Sequence, residues 1–132
     1  MKIKNDFFGK DILSLDQFSS SDMQILFKRI PYFQKLADNN TPSMRLGGHV
    51  ITLLFYEPSS RTFGSFFSAA SRLGAGVLPI QNPSAVSSVA KGETLQDTIR
   101  TFASYSSAIV IRSKDIGSAQ IAADTTDIPI IN

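Results

Sequence analysis

Apolar and polar positions along the chain fall into two regimes. Continuous apolar runs occur in "VITLLFY" at 50–56, "VLPI" at 77–80, "SAIVIR" at 107–112 and "IPIIN" at 128–132. Runs without polar alternation suit strands covered on both sides. Between them the apolar residues return at helical spacing. Leu26, Ile30, Phe33 and Ala37 share one face of "SSSDMQILFKRIPYFQKLADNN". Phe66, Ala69, Ala70 and Leu73 do so after "SSRT", and Leu95, Ile99 and Phe102 do so in "TLQDTIRTFASY". "SAQIAADT" predicts a short fourth helix.

Local signals set the expected ends of these elements. Ser21 and Gln24 stand at capping-box spacing at the start of the first helix, and Pro31 inside it predicts a kink or a break into two helices. "GAG" at 74–76 stops the second helix. The polar stretch "QNPSAVSSVAKGE", about a dozen residues without periodicity, predicts a long loop with a binding or lid role.

Strand alternating with helix four times over predicts an α/β fold: a doubly wound, Rossmann-like parallel sheet of about four strands, with right-handed crossovers and helices on both faces. A length of 132 residues, 42% of them hydrophobic, suits one domain with one core. Ligands of such sheets bind at the carboxyl ends of the strands. The polar residues at those ends are therefore the ones to weigh.

Composition narrows the ligand. Thirteen basic against eleven acidic residues give a formal charge of +2, with no basic run, so neither nucleic acid nor a membrane surface is an expected partner. No segment approaches the roughly 18 apolar residues of a membrane span, and the N-terminus lacks a signal-like apolar stretch. With no cysteine and one histidine, a metal centre is not expected, and the composition fits a cytoplasmic protein.

Three strand ends carry candidate donors. "FYEPSSRTF" takes the chain from the first strand into a helix through Glu57, Pro58, Ser59, Ser60, Arg61 and Thr62. Free amides and the positive end of the helix dipole make that turn an anion site, to which hydroxyls and a guanidinium add donors. The loop after the second strand offers Ser87 and Lys91, and the third strand ends in Arg112. Each has a plainer alternative. Ser60 or Thr62 could only cap the helix, Arg61 or Arg112 could pair with a carboxylate such as Glu57, and Lys91 could be solvated. His49 precedes the first strand and so lies at the wrong end of the sheet. Donors at three successive strand ends, without a Walker loop or a Gly-x-Gly-x-x-Gly fingerprint, point to a small phosphorylated ligand.

"FYEPSSRT", "SSVAKGETLQDTIRT" and "AIVIR", in this order and spacing, resemble the carbamoyl-phosphate domain of the aspartate/ornithine carbamoyltransferase family. "KGETLQDTIRT" is most similar to the aspartate branch. The resemblance implies that residues 1–132 bind carbamoyl phosphate for transfer of its carbamoyl group to the amino group of L-aspartate, in pyrimidine biosynthesis. By the same resemblance, the family's Ser-Thr-Arg-Thr phosphate motif falls on Ser59, Ser60, Arg61 and Thr62, with Ser60 in place of threonine. Ser87 and Lys91 match a serine and a lysine that reach a neighbouring subunit's site, which implies a homotrimer with sites between subunits. Arg112 matches the arginine that contacts the carbamoyl oxygen and phosphate. The family uses no cofactor; regulatory chains are left open.

Departures from the family pattern are confined. Phe63 and Phe67 stand where arginine and glutamate are common, and Ser113 and Lys114 follow Arg112 where His-Pro is frequent. Where the family continues after "IPIIN" into a His-Pro-Thr-Gln motif and an amino-acid-binding domain, this chain has neither, so the isolated chain is expected to be inactive. Transfer to ornithine or another amine, and a non-catalytic phosphate-binding or scaffold module, are the alternative readings.

Overall fold

The computed structural model describes residues 6–83 and 92–132. Four parallel strands form one sheet: β1 (Val50–Phe55), β2 (Gly76–Gln81), β3 (Ala108–Arg112) and β4 (Ile130–Ile131), in the order β2-β1-β3-β4. β1 pairs with β2 from Val50↔Gly76 to Phe55↔Gln81 and with β3 from Ile51↔Ala108 to Phe55↔Arg112. The two central strands are the two most apolar runs. Leu53, Leu54 and Ile109 are fully buried, as expected for strands covered on both sides.

Helices α1 (Ser20–Asp38), α2 (Ser60–Arg72), α3 (Leu95–Ala103) and α4 (Ser118–Ala123) complete the fold. The two faces of the sheet carry separate cores. Leu54, Ile99, Ile109, Ile111, Ala122 and Ile130 pack together under α3 and α4. Leu53, Phe55 and Val110 pack with Phe63 and Phe66 of α2 on the opposite face. Helices therefore cover both faces, and α1 lies outside α2, tied to it by Arg72 Nη1 donating to the Ala37 carbonyl at 3.0 Å. Among the described residues no helix is long and apolar enough to cross a membrane.

Two expectations for α1 are corrected. Its capping box is formed by Ser19 and Asp22, not by Ser21 and Gln24. The Ser19 amide donates to Asp22 Oδ2 at 2.7 Å, and the Asp22 amide donates to Ser19 Oγ at 3.2 Å. An ionised carboxylate at the third helical position accepts more strongly than a glutamine amide, and it also favours the positive helix end. Nor does Pro31 divide the helix, which runs continuously through it for 19 residues. Proline removes one amide, the partner of the Phe27 carbonyl, and Phe27 is exposed, so water can take the place of that bond.

Gly74 ends α2 as the sequence implies. Its φ of +85° is left-handed, and an added Cβ would sit 2.9 Å from both Met44 Sδ and the Ser43 carbonyl oxygen. One pairing had no counterpart in the sequence reading: residues 11–13 add to the β4 edge. The Ile12 amide donates to the Ile130 carbonyl, and the Asn132 amide to the Ile12 carbonyl, each at 2.8 Å.

Candidate functional site

The chain leaves β1 for β2 on one side and then crosses back to β3 on the other, so the direction of winding reverses at β1 and β3. A crevice opens beyond the carboxyl ends of strands at such a reversal. A cleft of about 620 Å³ lies there, lined by Pro58, Ser59, Ser60, Arg61, Thr62, Gln81 and Arg112. Residues from the ends of three strands thus meet in one place.

The helix start at the centre of this cleft is left open. The first bond of α2 runs from the Phe63 amide to the Ser59 carbonyl at 2.9 Å, so the amides of Ser60, Arg61 and Thr62 precede the helical ladder. Ser59 is the N-cap residue, yet its side chain makes no capping bond, and the first turn of α2 holds no acidic residue. The starts of α1 and α3 differ: Ser19 with Asp22, and Thr94 with Asp97, occupy the equivalent positions. An uncapped, acid-free helix start beside an arginine leaves donors free that could bind an anion. The capping alternative for Ser60 and Thr62 is therefore not realised among the described residues.

Arg112 enters from β3. Its Nη2 lies 3.4 Å from Glu57 Oε2, with both side chains about two-fifths exposed (41% and 42%). Its Nε is buried and has no hydrogen-bond partner among the described residues. The carboxylate alternative is thus partly realised for Arg112. Arg61 makes no ion pair among the described residues.

Ser59, Ser60, Arg61, Thr62 and Arg112 are brought together in the cleft; Ser87 and Lys91 lie outside the described residues. His49 sits at the amino end of β1, its Nδ1 3.0 Å from Ser107 Oγ. Ser113 and Lys114 line a separate cavity with Asn132, and Ser113 Oγ accepts from Ser118 Oγ at 3.1 Å. Phe63 and Phe67 pack with tilted rings, their centres 6.1 Å apart, and Phe63 meets Phe55 edge-on at 5.4 Å, so aromatic packing occupies this face of α2. Gln81 was missed in the sequence. In the sequence it stood only as the first residue of the polar stretch "QNPSAVSSVAKGE", whereas β2 extends to include it.

Behind the cleft, burial raises the Tyr56 pKa above 10.0, with a smaller opposing effect from the nearby Thr98 hydroxyl. The Tyr56 hydroxyl is buried and has no hydrogen-bond partner among the described residues; Thr98 Oγ1 donates its own proton to the Thr94 carbonyl at 3.1 Å.

The family model for the aspartate/ornithine carbamoyltransferase carbamoyl-phosphate-binding domain matches residues 10–132. The chain belongs to the aspartate/ornithine carbamoyltransferase family. Among relatives, it is 46% identical over 132 residues to the multifunctional protein URA2 of Saccharomyces cerevisiae, covering all of this chain and 6% of that protein. It is 43% identical over 122 residues to the chloroplastic aspartate carbamoyltransferase 1 of Pisum sativum, covering 92% of this chain and 32% of the relative. Aspartate transcarbamoylase of Trypanosoma cruzi, solved with carbamoyl phosphate and aspartate, superposes with a TM-score of 0.87 at 40% identity, over 94% of this chain and 38% of that one. The chain therefore spans about a third of the pea and trypanosome enzymes and a far smaller share of the yeast protein.

Proposed function

We propose that residues 1–132 are the carbamoyl-phosphate-binding domain of an aspartate carbamoyltransferase. The observation that carries this reading is the uncapped start of α2, open to a cleft that also receives Arg112. In this reading the amides of Ser60, Arg61 and Thr62, the hydroxyls of Ser59, Ser60 and Thr62, and the Arg61 guanidinium hold the phosphoryl group. Arg112 gives up Glu57 to contact the phosphate and the carbamoyl oxygen. The aspartate amine attacks the carbonyl carbon, a C–N bond forms, negative charge gathers on the carbonyl oxygen beside Arg112, and the C–O bond to phosphate then breaks. Phosphate departs with the bonding pair and takes up the proton that the attacking amine loses, still held by the cradle.

Carbamoyl transfer also needs a site for the amino acid, which we assign to a second domain outside these 132 residues. Family resemblance supports a homotrimer in which Ser87 and Lys91 reach a neighbouring subunit's site. It also supports a place in pyrimidine biosynthesis without a cofactor. We place the protein in the cytoplasm on its cysteine-free composition; plant relatives named chloroplastic mark the competing compartment.

The test is an acceptor assay on the protein joined to its amino-acid domain, with phosphate release followed from carbamoyl phosphate. Release that depends on L-aspartate and not on ornithine is the expected result, with none from residues 1–132 alone. Turnover with ornithine only would assign the other branch, and no release with any amine would leave a binding module.

A further inference from the structure

Gln81 and Arg112 are both in register with one residue, Phe55, on opposite sides of β1. Residues in register on adjacent parallel strands project to the same face of the sheet. The packing bears this out. Phe55, Leu53 and Val110 belong to the core beneath α2 together with Val77 of β2, whereas the alternate residues Leu54 and Ile111, with Ile80, belong to the other. Gln81 and Arg112 therefore rise on the α2 side, one on each flank of the turn that opens α2.

Neighbouring strands lie about 4.8 Å apart, so the two backbones stand roughly 10 Å apart across β1. A glutamine and an arginine side chain can close that gap from either side onto a single phosphoryl group. Gln81 lines the cleft, is exposed, and makes no side-chain hydrogen bond among the described residues. Its carboxamide offers two N–H donors and cannot ionise, so it adds a donor without changing the charge of the site.

We propose that Gln81 is a phosphoryl-binding residue, its Nε2 donating to a phosphate oxygen from the β2 side while Arg112 approaches from the β3 side. This inference rests on the phosphate-cradle reading above. It adds a contact that neither the sequence motif nor the family resemblance assigned. The ligand chemistry is a phosphoryl dianion, whether free phosphate or the phosphoryl end of carbamoyl phosphate, and the contact is indifferent to the carbamoyl group.

The experiment is calorimetric titration of inorganic phosphate and, separately, of carbamoyl phosphate into the wild-type chain, Gln81→Ala and Gln81→Glu. Gln81→Ala is expected to raise both dissociation constants by at least about tenfold, the scale of one hydrogen bond to a charged group. Gln81→Glu should raise them further, and that excess should shrink at about 0.5 M KCl, where charge repulsion is screened. Melting temperatures should stay level, because the side chain is exposed. Wild-type affinity in Gln81→Ala, or a Gln81→Glu variant that binds no worse than Gln81→Ala, overturns the role of Gln81 and leaves the cradle standing. A loss for carbamoyl phosphate alone also overturns it, by moving the contact to the carbamoyl group. If the wild-type chain takes up neither ligand, the cradle reading and this inference fall together.

Discussion

Arg112 and Glu57 form an ion pair, Nη2 to Oε2 at 3.4 Å, with the Arg112 Nε buried and without a hydrogen-bond partner among the described residues. The guanidinium is thus only partly satisfied by the described residues. In the proposed function, an incoming phosphoryl group would compete with Glu57 for the same donors.

Replacing Glu57 by glutamine removes that competitor. The pair is two-fifths exposed, so its loss should cost less than about 1 kcal/mol of stability. Phosphate affinity should rise about threefold, the effect of removing one like charge several ångströms away in water. Calorimetry and a urea titration together measure both, and weaker phosphate binding by Glu57→Gln would count against competition at Arg112.

Ser59→Asp sets stability against binding. A carboxylate at the open N-cap of α2 can accept from the free amides, so the variant should gain about 0.5 kcal/mol of stability. The same carboxylate occupies the anion's place, and phosphate binding should fall at least tenfold, the scale of about 1.4 kcal/mol. Differential scanning calorimetry with and without phosphate reads both effects. Unchanged binding would mean that the anion sits elsewhere.

Tyr56 gives a pH signature. Burial raises its folded-state pKa above 10.0, so the folded form holds the phenol proton more tightly than the unfolded chain does. Its contribution is fully present below pH 10.0 and is lost as pH rises through the folded value. Tyr56→Phe removes a buried hydroxyl without a well-formed bond, and near pH 8 stability should be unchanged or higher by up to about 1 kcal/mol. The variant should also lose less stability than the wild type between pH 9 and 11 in urea unfolding. Equal alkaline slopes for the two proteins would refute the assignment.

Much of this fold could be read in the sequence because burial on both faces writes itself directly into composition: "VITLLF" and "AIVI" are strands interrupted by only one polar residue, Thr52. The grouping of Ser59, Ser60, Arg61 and Thr62 at one helix start was legible for a related reason. Its donors are consecutive, and a strand-to-helix turn needs only local sequence to place them. Cap choice was not legible, because Ser19 with Asp22 and Ser21 with Gln24 satisfy the same spacing, and only the helix start decides between them. Gln81 and the edge pairing of Ile12 were hidden for another reason. Their meaning lies in register with Phe55 and Ile131, residues distant in sequence, and register is set by packing rather than by any local pattern.

The central claim is that the open start of α2 holds a phosphoryl group. Titration of carbamoyl phosphate into the wild-type chain and into Arg61→Ala tests it most directly, because Arg61 has no ion-pair partner among the described residues and its removal should leave the fold intact. One site per chain is expected in the wild type, weakened by about 2 kcal/mol in the variant, the scale of a charge-assisted hydrogen bond. Equal affinity in the two proteins would contradict it.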